Sequence, residues 1–400
     1  MSERANVVPT PEGEFFEGNR FAGKSALFGI LALIGIALSV VGAIVSPHQF
    51  AYSWLFGFAF YFTLLAGCFF WIVVHYAVDA NWSVVVRRQL ENLAVLLAIV
   101  GLCVIPLMFW RHHLYEWTNI RRGVDPLLDS KRLYLNPPFF FARTAFYFVF
   151  FIAAAYLFRR YSVRQDRDGN PRWTLQSRTL AFVSLPLFAF SLTFGAYDWL
   201  IGTDYHWFST MWGVYIFAGS AGASMSLLVL VLTGLRSAGY LRDVVTTEHY
   251  HTMGKWILAF CVFWAYIGFG QYMLIWYANI PEETAYFIRR NVESWNVLST
   301  FLVVGRFFIA FPLLLLQGPK KHPHRLCLLA GWIVIMQALD MYIVVLPSLH
   351  GAGVQISIWD FVPLFAIGST LAFAYFRIVG RSSLFPNRDP RLIESLYFVN

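Results

Sequence analysis

Charge is scarce in this chain. Only 13% of its 400 residues are Asp, Glu, Lys or Arg, about half the share of an average soluble domain. That scarcity argues against a string of water-soluble domains. Cysteine is nearly absent. Cys68, Cys103, Cys261 and Cys327 each stand in an apolar stretch and no CxxC occurs, so we expect buried small hydrophobes rather than iron–sulfur or zinc ligands. Histidine is rare where a haem between facing helices would need it. His48, His112, His113, His249, His251, His322, His324 and His350 fall at ends of apolar runs or in loops, and His249 and His251 lie two apart, off one helical face. No lysine lies inside an apolar run, since Lys24 and Lys255 stand at their starts, which excludes a Schiff-base chromophore within the membrane. P-loop, dinucleotide fingerprint, HExxH and nucleophile elbow are all missing, and every loop is too short to be a soluble catalytic domain.

What the chain has instead is greasy bulk. It is 58% hydrophobic with 40 Phe and 15 Trp, its mean hydropathy is +0.58, and so much aromatic surface exceeds what one soluble core would bury. An all-α polytopic membrane protein follows. Windows of about twenty apolar residues, enough to cross about 30 Å of hydrocarbon, fall at 24–46, 52–77, 89–110, 138–158, 177–199, 207–233, 254–278, 294–316, 325–346 and 356–378, giving ten transmembrane helices. Gly213, Gly219 and Gly222 in the sixth would let neighbouring helices approach closely. The opening MSERANVVPTPEGEFFEGNR is polar and mixed in sign, with no small-residue cleavage site after the first apolar run, so the first helix is expected to stay in the membrane.

The net charge of +8 does not mark a nucleic-acid surface, because the positive residues sit in short loops. Most of the 30 Lys and Arg belong to the loops on the side that both termini share. The opposite loops hold Arg111, Arg121, Arg122, Lys131, Arg132, Arg289 and Arg290, while Arg143 and Arg306 lie within spans. This bias predicts that both termini are cytoplasmic. Asp198, Asp204 and His206, in the turn SLTFGAYDWLIGTDYHWFST, then belong to the outer face, with Arg289, Arg290, His350 and Asp360. The longest loop, RHHLYEWTNIRRGVDPLLDSKRLYLNP, reads as an outer connection rich in interfacial anchors, and QDRDGNPRW as a plain turn.

Ionisable groups inside spans mark function or specify packing. Arg306 in FLVVGRFFIAFPLLLL stands near the midplane. Gln337 and Asp340 in WIVIMQALDMYIVVLP are three apart and share a helical face, and antiparallel neighbours bring them to the depth of Arg306. We therefore expect Arg306 and Asp340 to pair. His75, near the cytoplasmic end of the second helix and facing water or headgroups, and Asp198, the best embedded carboxylate of the outer mouth, complete a discontinuous set of proton-path candidates: His75, Asp198, Arg306, Gln337 and Asp340. Arg143, in the first turns of the fourth helix after Pro137 and Pro138, either snorkels to the interface or joins Asp198.

The stretches SLTFGAYDWL, HWFSTMWGVYIFAG, GKWILAFCVFWAYIGFGQYMLIWYANIPEET and NVLSTFLVVGRFFIAFPLLL resemble the NrfD/PsrC-like membrane subunits of bacterial respiratory complexes. More closely, they are similar to the smaller, ActF-type such subunit of alternative complex III, a quinol:cytochrome c oxidoreductase. The resemblance implies two four-helix bundles, helices 2–5 (about 52–199) and 6–9 (about 207–346), flanked by helices 1 and 10. This membrane domain, 24–378, would lie in the bacterial cytoplasmic (inner) membrane between a cytoplasmic amino-terminal segment, 1–23, and a cytoplasmic tail, 379–400. Implied partners are a homologous ten-span subunit, a periplasmic iron–sulfur protein, haem c subunits, small membrane subunits and a terminal oxidase. Iron–sulfur clusters and haem c would belong to those partners, with no cofactor bound here beyond menaquinone or its quinol. A quinol site would lie in the first bundle near the outer surface, for which Arg143, Asp198, Asp204 and His206 are the candidates here, although a histidine placed to take the quinol proton is missing.

Three readings stand. The chain is a respiratory-complex subunit that binds quinol or carries coupled protons, a noncatalytic scaffold whose buried polar groups order the helices, or a standalone ion or solute transporter.

Overall fold

The structure is a computed structural model that describes residues 12–17 and 22–399. Among these, ten helices are long and apolar enough to cross a membrane: α1 Ala22–Val45, α2 Pro47–Ala77, α3 Val84–Phe109, α4 Pro137–Asp168, α5 Arg172–Thr203, α6 Trp212–Ser237, α7 Thr247–Ala278, α8 Glu293–Leu315, α9 Pro323–Ser348 and α10 Ile358–Val379. Each overlaps one of the apolar windows read from the sequence. An even number of crossings places the described segments before α1 and after α10 on one face.

Local chemistry sets the helix ends. Pro47 opens α2 directly after α1. Asn136 caps α4 by accepting the Phe139 N–H at 3.0 Å, and Pro137 and Pro138 occupy the first turn, where a missing N–H costs nothing. Gly169, in the left-handed region at φ 65°, ends α4 and turns the chain into α5. At the start of α7 the Thr246 backbone N–H donates to His249 Nδ1 at 3.0 Å, and at α10 the Ser357 N–H donates to Asp360 Oδ2 at 3.0 Å. Helices α4 and α5 run well past their apolar windows on the face of the chain ends. The polar continuation RRYSVRQDRD stays helical because its residues find partners there.

Two helices are central. Of the most apolar windows of α2 and α6, 83% and 78% is buried, against 22% for α1. Contacts run α2–α3, α3–α4, α4–α5 and α5–α2, and separately α6–α7, α7–α8, α8–α9 and α9–α6; α2 also packs on α6, and α10 on both α1 and α2. Small residues permit the central crossing. A Cβ on Gly67 of α2 would lie 2.3 Å from the Ser220 carbonyl oxygen and 2.4 Å from Ser224 Oγ of α6. Gly67→Ala is therefore expected to destabilise the protein by about 1–3 kcal/mol through overpacking, read as a lower unfolding temperature in detergent. The three glycines of α6 serve three neighbours. A Cβ on Gly213 would strike Thr193, one on Gly219 would meet Gln337 and Arg306, and one on Gly222 would press on Phe260.

The segment after α10 does not hang free as a tail. Leu384, Phe385 and Leu392 are buried, the Leu384 N–H donates to the Glu14 carbonyl at 2.7 Å, and Phe15 bridges to Ser383. This cover explains a departure from the sequence reading. Arg87 and Arg88, expected as loop cations, lie in the first turns of α3, which is buried along Val84–Ala94. Arg88, with none of its side chain exposed, donates to Glu91 at 3.0 Å, Asp166 at 2.7 Å, Ser162 at 2.9 Å and the Ser383 carbonyl at 3.0 Å. Arg87 pairs with Asp389 of the closing segment, and Arg159 donates to Asn92 at 3.0 Å.

Candidate functional site

One buried group of charges joins α8 and α9. Arg306 sits near the middle of α8, 2% exposed, inside a π-helical turn at Val304–Ile309. Such a wide turn throws backbone carbonyls out of their usual register and is frequent at functional sites. Side chains take up the released oxygens: Trp332 Nε1 donates to the Gly305 carbonyl at 2.7 Å, and Cys261 Sγ to the Arg306 carbonyl at 3.2 Å.

The guanidinium reaches across to α9. Its Nη1 meets Asp340 Oδ2 at 2.6 Å and its Nη2 meets Gln337 Oε1 at 2.6 Å, which brings the three residues predicted from spacing into one group. Gly219 of α6 leaves room for Nη2, which points at its carbonyl at 3.4 Å. Trp264 lies under the guanidinium, with its ring centroid 4.3 Å from the Arg306 Cζ atom. Three partners were not singled out from the sequence. Tyr215 on α6 donates its hydroxyl to Asp340 Oδ1 at 2.5 Å, Trp264 on α7 donates Nε1–H to Asp340 Oδ2 at 3.0 Å, and Gln337 Nε2 donates to Thr63 on α2 at 3.2 Å. Asp340, 1% exposed, thus accepts from three side chains on three helices. Aromatic donors carry no charge signal, so periodicity gives no hint of them; only the fold places them at one depth.

Asp198 and Arg143 form a second, separate pair. Arg143 Nε and Nη2 meet the two Asp198 oxygens at 3.0 and 2.7 Å in a bidentate fork, and Tyr147 donates to Asp198 at 3.0 Å. The rings of Tyr134 and Phe139 pack against the guanidinium with centroids 3.7 and 4.3 Å from its Cζ atom. Arg143 therefore does not snorkel; it is held against Asp198. Asp204 and His206 do not join this pair. Asp204 meets Arg289 at 2.8 Å, and the His206 side chain is 55% exposed. Nearby, the Tyr205 hydroxyl donates to Asp125 at 2.6 Å. Burial and that carboxylate push the Tyr205 pKa up to about 12, while the same bond draws the Asp125 pKa down.

His75 faces neither water nor headgroups. It is 2% exposed, packed edge-on against Trp82 at 5.0 Å and beside Trp71 at 5.6 Å, and neither ring nitrogen finds a partner among the described residues. Twelve residues separate it from Thr63 along α2, about 18 Å, so it stands apart from the Arg306 group. Asp360, expected on the outer face, is wholly buried and accepts from Ser53 at 2.6 Å and Gln49 at 2.8 Å. Gln49 in turn contacts His350 at 2.7 Å.

All four cysteines are unpaired. Among the described residues no three His, Cys, Asp or Glu side chains gather as metal ligands would. Compared with models of protein families the chain matches none, and no curated protein matches it. The chain is a polytopic all-α membrane protein with several buried arginine–aspartate pairs, among them one in the interior of the α6–α9 helices and one near the loop ends of α4 and α5.

Proposed function

We propose that this chain is the membrane subunit of a respiratory quinol:electron acceptor oxidoreductase of the alternative complex III kind, supporting menaquinol oxidation and carrying protons coupled to it. In this reading helices α2–α5 and α6–α9 form two four-helix bundles, each a closed ring of neighbours, with α1 and α10 alongside. Both termini are cytoplasmic in a bacterial inner membrane. The homologous ten-span subunit, the periplasmic iron–sulfur protein, the haem c subunits, the small membrane subunits and the terminal oxidase supply the electron carriers.

The single observation that carries the reading is the Arg306–Asp340 pair. Burying two charges in hydrocarbon is expensive, and membrane proteins keep such groups chiefly on ion and proton pathways. A carboxylate held by Arg306, Tyr215 and Trp264 has in Tyr215 a hydroxyl through which a proton can pass, and Gln337, on the other arm of Arg306, extends the group to Thr63 on α2. The experiment is the neutral double variant Arg306→Gln/Asp340→Asn in the intact membrane complex. Amides preserve much of the hydrogen bonding and remove both charges. Quinol-dependent turnover is expected to fall at least tenfold with the complex still assembled. Unchanged turnover would instead assign these residues to the scaffold reading, in which they only order the helices.

A further inference from the structure

Beside the Arg306–Asp340 pair the α6–α8 side of the protein opens into a cleft of about 730 Å³, inside the roughly 300–1,000 Å³ typical of small-ligand sites. Its walls are aromatic, with Tyr215, Trp264, Tyr286 and Phe307 among them, and its few polar groups include Gln271 and Arg290. Tyr266, Phe269 and Phe308 line its open side and are 70%, 65% and 63% exposed, as a lateral entrance from a bilayer would be. A smaller cleft of about 250 Å³ adjoins it, sharing Tyr272, Phe287 and Asn291 and adding Asn279 and Thr284.

Hydrogen-bonding capacity inside the cleft is specific. Gln271 Oε1 accepts from the Ser209 hydroxyl at 2.9 Å, and the Gln271 amide nitrogen has no protein partner among the described residues. Arg290 is 8% exposed and has no carboxylate partner there. Three of its N–H groups go to the carbonyls of Ile343, Val344 and Tyr286 at 3.0, 2.7 and 3.0 Å, out of five on a guanidinium. Its plane lies 3.4 Å from the Tyr286 centroid, and burial draws its pKa below the ordinary arginine value. Tyr215 gives its proton to Asp340, so its oxygen still accepts.

We infer that this cleft is a binding site for a lipid-soluble quinol, its ring between the aromatic walls, one hydroxyl oxygen accepting from Gln271 and Arg290, the other hydroxyl donating to the Tyr215 oxygen, and its tail leaving past Phe269 and Phe308. The inference rests on the proposed quinol chemistry and places a ligand beside Asp340, one hydroxyl away. A ring with oxygens at opposite edges matches an aromatic slot with polar groups at both ends. A bare acyl chain would leave those groups without partners. A phosphate headgroup has no hydrogen for the Tyr215 oxygen and would find on Arg290 only the two N–H groups not given to carbonyls.

The test is photolabelling of native membranes containing the complex with a short-chain menaquinone analogue that carries a diazirine, kept reduced to the quinol together with its competitor, followed by peptide mapping. Label is expected within Tyr266–Gln271 or on Phe307 and Phe308, protected by excess unlabelled quinol and not by phospholipid. Ala265→Trp, which fills the cleft, should cut the labelling at least tenfold. Label confined to the surroundings of Arg143 and Asp198, or protection by phospholipid instead of quinol, overturns the inference; the competition on unaltered protein decides it even if the tryptophan variant does not fold. The two proposals fail separately. Absent labelling, with turnover lost in Arg306→Gln/Asp340→Asn, removes the cleft site and leaves the proton role standing. Cleft labelling with that variant fully active keeps the site and removes the proton role.

Discussion

Arg306→Met should destabilise the protein by about 3–5 kcal/mol, the cost of breaking a buried ion pair from one side. Asp340 would keep Tyr215 and Trp264 as donors but lose its countercharge in a place that water does not reach. The Gln337 oxygen would lose its closest donor at the same stroke. The loss is not that of one contact: an uncompensated charge in a low-dielectric interior carries its own desolvation penalty. The expected observables are a sharp fall in the yield of folded protein and a lower unfolding temperature in mild detergent. Arg306→Gln/Asp340→Asn should lie within about 1–2 kcal/mol of the unaltered protein, because removing both members of a buried pair is often close to neutral. A single variant as stable as the parent would mean that the pair is not buried as described.

Arg88→Met should be comparably severe, for a different reason. Arg88 ties three parts of the chain together: Glu91 on its own helix, Ser162 and Asp166 on the extension of α4, and the Ser383 carbonyl of the closing segment. Its loss leaves Glu91 with Arg87, 3.8 Å away, and the Tyr76 hydroxyl at 3.5 Å, and takes from Asp166 the guanidinium that it pairs with. A cost of about 3–5 kcal/mol is again expected. Unlike the Arg306 variant, this one should also release the segment after α10. Limited trypsin digestion is expected to cut at Arg388 and Arg391 many times faster than in the parent, before the spanning helices unfold. Equal cleavage rates would mean that the segment is held by apolar burial of Leu384 and Phe385 alone.

The ten crossings were legible because twenty-residue apolar windows leave few alternatives, and the pairing of Arg306 with Asp340 followed from spacing and depth. What escaped was what depends on partners distant in the chain. Arg88 falls in the loop before the third apolar window and Glu91 and Asn92 only open that window, yet all three lie in a buried helix because residues about three hundred positions later cover them. The continuation of α4 was missed for the same reason: hydropathy falls at Arg159 while the helix persists on polar partners. His75 sits close to a helix end, which suggested solvent, but Trp82 folds over it. Arg143 showed two faces to the sequence, and the Asp198 fork chose between them through side-chain geometry that no periodicity encodes. The donors of Asp340 escaped because Tyr215 and Trp264 are two aromatics among dozens, distinguished only by their depth.

The proposed role of Arg306 and Asp340 is to carry protons coupled to quinol oxidation. Its most direct test is the number of protons moved per electron by the purified complex in sealed liposomes, with the unaltered protein compared with Arg306→Gln/Asp340→Asn under conditions where electron transfer is still measurable. The variant is expected to move fewer protons per electron than the parent. An identical ratio in the two would contradict it and leave the pair as a device for ordering helices.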